Sequence, residues 1–165
     1  MIKKILLAIL IALPLCGFAQ SKFGVVDVQT IFTALPDVKE MQSQIEASSK
    51  TYETEFQKLN EEFNKKYTEF QQLDASTPES IKERRMQEIQ ELGQKIEQFR
   101  ATASQDLQQQ QEKLMAPIQQ KIQDAIKAVG DEGSYTFIFE NIAAAYVGKD
   151  VVDVTSLVKA KLGVK

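Results

Sequence analysis

The chain has 165 residues, 43% of them hydrophobic and 26% charged, with 20 basic against 23 acidic side chains. Its one cysteine is Cys16 and it has no histidine, so disulfide frameworks, thiol nucleophiles, Ser-His-Asp relays and zinc or haem sites built on those residues are excluded. The acidic balance argues against nucleic acid as a partner, because phosphate binding needs a net basic face.

Residues 1–19 read as a secretory signal peptide. Lys3 and Lys4 form a basic n-region, Ile5 to Leu15 are apolar around Pro14, and Gly17 and Ala19 place small residues at −3 and −1 before Gln20. The apolar run is too short to span a bilayer. Cys16 raises lipoprotein processing as a rival, which the large Leu15 before it disfavours. Loss of Lys3 and Lys4 leaves a mature net charge of about −5. The rest, 20–165, reads as a single domain located beyond the inner membrane.

Phe23-Gly24-Val25-Val26-Asp27-Val28 is a short β-prone run. Asp27 inside it is expected to hydrogen-bond the first turn of a short helix over Gln29 to Leu35, which Pro36 ends. Asp37-Val38-Lys39-Glu40 reads as a capping box opening a long helix. Val38, Met41, Ile45, Tyr52, Phe56, Leu59, Phe63, Tyr67, Phe70 and Leu73 then recur at steps of three, four or seven, the stripe of a helix facing a partner. Asp74 to Glu79 interrupts the pattern, with Thr77 as the expected N-cap and Pro78 as the first helical residue.

A second stripe runs from Ile81 through Met86, Ile89, Leu92, Ile96, Phe99, Ala103, Leu107, Leu114, Ile118, Ile122 and Ile126 to Val129. About 50 residues at ~1.5 Å each give a rod of about 75 Å. Two such helices joined by a short loop fold back as an antiparallel hairpin, too long for a compact domain of this mass. Pro117 should kink the second helix, and the junction of arm and body is placed near it. Gly130 to Gly133 ends the helix. Tyr135 to Phe139 signals a strand, Ala143 to Val147 a further strand, Gly148-Lys149-Asp150 a turn, and Asp153 or Thr155 the cap of a last helix.

The expected class is therefore α+β: a small β-rich body, about 20–40 and 117–165, carrying a helical coiled-coil arm, about 41–116. Three short strands and two turns of helix bury little apolar area, so the body should need oligomerisation. Val25, Val28, Phe137, Phe139, Tyr146 and Val147 are its candidate oligomerisation residues.

Catalytic, cofactor and metal sites are not expected. Gly148-Lys149 lacks the first glycine of a phosphate loop (Ala143 stands there) and its Ser/Thr (Asp150 stands there), so no nucleotide is expected. Asp131-Glu132 and Asp150 with Asp153 read as turn and capping residues rather than calcium ligands or an acid–base pair. The informative surface is the aromatic stripe. Tyr52, Phe56, Phe63, Tyr67, Phe70, Met86 and Phe99 are divided between seam packing and an accessible apolar face able to touch unfolded chains. Met41, Met86 and Met115 would add adaptable contacts. Gln108 to Gln111 reads as a solvated helix face. Arg84 and Arg85, near the loop, are cancelled by Glu79, Glu83 and Glu88, so any membrane contact is weak.

The run from Phe23 to Phe32, the hairpin length, and the C-terminal segments Tyr135 to Phe139, Ala143 to Tyr146 and Asp150 to Val158 resemble the Skp/OmpH family of periplasmic chaperones. The resemblance spans the mature chain. It implies a jellyfish-like homotrimer, with a β-rich trimerisation body and three arms around a cavity. It also implies a holdase of the Gram-negative periplasm that binds unfolded outer-membrane β-barrel proteins without ATP or any other cofactor. The best-known members are basic whereas this chain is acidic, so apolar contact must carry more of its binding. The alternative is a structural or adaptor coiled coil of the envelope that ignores unfolded chains.

Overall fold

A computed structural model describes residues 21–164; the signal-peptide and Cys16 readings lie outside the described residues. Strand β1 (Phe23–Val26) leads through Asp27 into helix α1 (Val28–Ala34). Long helices α2 (Pro36–Gln71) and α3 (Glu79–Gly133) follow, then strand β2 (Phe137–Glu140) and a 3-10 turn (Asn141–Ala143). Strand β3 (Val152–Asp153) and helix α4 (Thr155–Lys161) complete the chain.

The cap at Asp27 forms as expected. Its Oδ1 accepts from Thr30 N at 2.8 Å and its Oδ2 from Thr30 Oγ1 at 2.6 Å. These bonds, the side-chain one foremost, hold the Asp27 carboxyl below the ordinary aspartate range. The capping box at Asp37 does not form. Helix α2 starts two residues earlier, with Pro36 in the first turn, where a missing N–H costs nothing. Asp37 instead accepts from Lys121 Nζ of α3 at 3.0 and 3.1 Å. Thr77 makes no cap bond either: Pro78 is the N-cap of α3, and Asp74 closes the loop by accepting from Ser76 N at 2.8 Å.

Helices α2 and α3 run antiparallel. Asp37 meets Lys121, Tyr52 meets Asp106 and Lys66 meets Glu88, one index rising as the other falls. At ~1.5 Å per residue, the 36 residues of α2 span about 54 Å and the 55 of α3 about 82 Å. Most of the excess lies beyond Lys121, where Ile122, Ala125 and Val129 of α3 form the floor of the body. Pro117 sits within α3, which remains helical on both sides of it. After Gly133 the backbone turns through Ser134 in the left-handed region, φ 52°.

The sheet is parallel throughout, in the order β2-β1-β3. Phe23 pairs with Phe137 and Val26 with Glu140 on one side, and Gly24 pairs with Val152 on the other. The N-terminal strand therefore lies between two strands from the C-terminal segment. Gly24 permits close approach there, because a Cβ would sit 3.2 Å from both Ile138 Cγ1 and Tyr135 Cδ1. The expected strand at Ala143 to Val147 is absent: the chain makes a 3-10 turn and then irregular backbone, and the pairing partner is Val152–Asp153. Three consecutive alanines supply little to pack on a pleated surface, which removes the motive for a strand there.

Apolar side chains collect in two separate clusters. In the body, Ile31, Leu35, Val154 and Val158 are fully buried with Val26, Val38, Met41 and the end of α3 around them. Each such burial stabilises by about 1.5–3 kcal/mol. In the hairpin, Leu59, Leu92 and Ile96 form the second cluster, flanked by Phe56, Phe63 and Phe99. Among the described residues no helix is long and apolar enough to cross a membrane.

Candidate functional site

The hairpin separates its aromatic residues into packed and open ones. Phe56, Phe63 and Phe99 close over Leu59, Leu92 and Ile96 between the helices. The Tyr52 ring meets Phe99 edge-on at 6.0 Å. Its hydroxyl donates to Asp106, a bond that raises the phenol's pKa above the ordinary tyrosine value. Asp106 also accepts from Gln110 Nε2 at 2.9 Å. These four residues act first as the inter-helix seam.

Tyr67 and Met86 stay open, 45% and 38% exposed, as does Ile81 at 38%. Tyr67 stacks on Phe63 with ring centroids 6.2 Å apart, so an exposed ring continues outward from the packed one. Phe70 is half-buried. The seven residues singled out in the hairpin thus form a graded surface from dry seam to wet face. Tyr52, Phe56, Phe99 and Ala103 also line an open cleft between the helices with Leu107. The Arg100 guanidinium stands 5.1 Å from the Phe56 ring centre beside that cleft.

Charges toward the loop cancel. Glu88 takes Lys66 at 3.1 Å, Arg85 at 3.2 Å and Arg84 at 3.8 Å. The Lys66 ammonium, more than the arginines, holds the Glu88 carboxyl below its ordinary range. The two arginines read from the sequence as cancelled are paired to one carboxylate.

In the body, the six residues singled out divide as well. Val25 is buried and Val28 packs against the core, so both serve the chain's own fold. Phe137, Phe139, Tyr146 and Val147 are exposed, with Tyr146 at 85% and the neighbouring Ile142 at 88%. Phe23 and Phe137 stack at 6.3 Å, and Phe137 and Phe139 at 5.7 Å, lining up three rings on one uncovered face. Ile142 escaped the sequence reading because it falls outside any periodic run. Phe32 escaped it too, although it lies four residues after Val28, on the same helical face.

Other motifs resolve as structure. Gly148-Lys149 lies in a turn closed by Val151 N donating to Gly148 O at 3.1 Å. Asp153 Oδ1 accepts from Thr155 N at 2.9 Å at the start of α4, and Glu132 pairs with Lys161. Among the described residues no three His, Cys, Asp or Glu side chains are grouped to hold a metal ion.

A family model described as "Outer membrane protein (OmpH-like)" matches residues 22–162. Chaperone protein Skp of Pectobacterium atrosepticum is 31% identical over 147 residues, covering 86% of this chain and 87% of that protein. Chaperone protein Skp of Yersinia enterocolitica is 29% identical over 167 residues, covering 95% and 99%. An OmpH-like structure from Caulobacter crescentus CB15 superposes with a TM-score of 0.76 at 10% identity, over 87% of this chain and 85% of that one. That match shows the same mostly helical fold with a small sheet.

Proposed function

The chain belongs to the OmpH-like family, and from that premise we propose that it is an ATP-independent holdase chaperone. In this reading it meets unfolded outer-membrane proteins in the periplasm after export and prevents their aggregation. The curated relatives are chaperones, and the chain is not an enzyme.

The observation that carries the reading is the hairpin's economy. Helices of 36 and 55 residues share the body core at one end, but along the arm only a small cluster centred on Leu59, Leu92 and Ile96 joins them, while Tyr67, Ile81 and Met86 stay in water. A purely structural rod has no need of wet apolar side chains, whereas a surface that binds many unfolded sequences weakly does. Binding the unfolded chain lowers its free concentration by mass action, and no chemical step is required.

The proposed assembly is a homotrimer built on the uncovered body face of Phe137, Phe139, Ile142, Tyr146 and Val147, with three coiled-coil arms around a shared cavity. Several arms acting on one client supply avidity that single contacts lack. The proposed location is the Gram-negative periplasm, reached through the signal peptide at 1–19.

The test dilutes a urea-unfolded outer-membrane β-barrel protein into buffer containing the mature chain and follows light scattering. Suppression near one oligomer per client is expected. Undiminished scattering at several-fold excess overturns the reading.

A further inference from the structure

Three openings on the surface adjoin one another. The first, beside the sheet, is lined by Val28, Ile126 and Ile138 and ends at Phe32 and Met115. The second begins at the same Phe32 and Met115, passes Met41 and Ile45, and ends at Ser49 and Glu53. The third begins at Ser49 and Glu53 and is the cleft of Phe56 and Phe99. Their shared lining residues set the three end to end, and we call this row from body to mid-hairpin a track. Along α3 it runs from Ile126 to Phe99, about 40 Å at ~1.5 Å per residue.

The track has an apolar floor and a rim of neutral amides. Gln29, Gln42, Gln111, Gln119 and Gln123 line it, and among the described residues their side chains make no hydrogen bond. Its charged groups are Glu46, Glu53 and Glu140 against Lys50 and Arg100, and Arg100 is already paired with Glu97 at 3.5 Å. An extended non-native segment brings apolar side chains at every second residue and main-chain N–H and C=O groups without partners. Free amides serve that main chain whatever its sequence, while the carboxylates disfavour an acidic occupant and favour basic flanks.

We propose that this track holds one extended apolar segment of a non-native polypeptide, about twelve residues long at ~3.3 Å each, with neutral or basic flanks. The proposal rests on the holdase reading and adds where, and with what preference, a segment lies on each chain. Opposite charge on exposed rims contributes little per contact, so the discrimination is a matter of several-fold.

The test uses the full mature chain and fluorescein-labelled twelve-residue Val/Thr peptides flanked by two lysines or two aspartates. The lysine-flanked peptide should bind several-fold tighter, and Glu46→Gln with Glu53→Gln should erase the difference. Phe32→Ser with Met115→Ser should weaken binding at least fivefold. Gln111→Arg with Gln119→Arg, two exposed positions whose change leaves the fold intact by circular dichroism, should do the same by filling the track. Unchanged peptide affinity in the arginine variant, or equal affinity for both peptides, overturns the proposal. If those results come with full suppression of client aggregation, only the track fails; loss of suppression in the unaltered chain fails the holdase reading itself.

Discussion

The Asp27 carboxylate caps α1 through Thr30, while its backbone N–H donates at 2.9 Å to Thr155 Oγ1, 128 residues further along. Thr155 Oγ1 in turn donates to Asp153 Oδ1 at 2.6 Å, so one short relay ties the first strand to the last helix. The cap was legible in the sequence, because an aspartate before a helical turn has a local use. The link to Thr155 was not, because nothing local selects a partner so distant in the chain. A pH dependence follows. Asp27 titrates below the ordinary value of 3.8 in the folded state, so its contribution is complete above that value and is lost as pH falls through the lowered one. Asp27→Asn keeps a capping oxygen without the titration. Wild type should have the higher urea midpoint at neutral pH, and the gap should close as pH falls below the ordinary aspartate range.

Helices α2 and α3 were predictable as elements because their stripes repeat at the helical period, and an interruption at Asp74 to Glu79 leaves no other way to pair them. Which aromatics are seam and which are surface was not predictable, because neighbouring stripe positions differ only by the small rotation of the helix against its partner. Phe63 packs on Leu92 and Ile96, while Tyr67, one turn on, is 45% exposed. Phe63→Ser should therefore lower helix content and raise amide exchange in the arm, truncation of a partly buried ring costing less than about 3 kcal/mol. Tyr67→Ser with Met86→Ser should leave circular dichroism and oligomer mass unchanged but weaken client capture several-fold in the scattering assay. Equal losses of helicity in both variants would refute the division. The end caps shifted for a related reason. A capping box at Asp37 competes with a proline already at the helical start, and the lysine that engages Asp37 lies 84 residues away.

At the scale of the molecule, the body exists because the hairpin returns the chain to its starting point. β1 is then sandwiched by β2 and β3, and its Val26 joins a core closed by Val154 and Val158. This leaves the outer face of Phe137 and Phe139 in water at 57% and 49% exposure, with Ile142 and Tyr146 nearby. Exposed rings in such number on a small body fit the proposed trimer interface. Phe137→Asp with Phe139→Asp should yield monomers by sedimentation at micromolar concentration, with helix content largely kept. A trimer that survives both changes would move the interface elsewhere.

The amino-acid order alone determined the helix periods, the break between them and the strands near Phe23 and Phe137, because each depends on near neighbours and on residue type. Strand order and direction, the replacement of the alanine-rich strand by Val152–Asp153, and the sorting of aromatics into seam and surface were decided only by the tertiary structure. Those outcomes depend on which distant side chains meet once the helices pair. A periodic stripe marks the face that packs, but the partner's shape decides how much of that face stays dry.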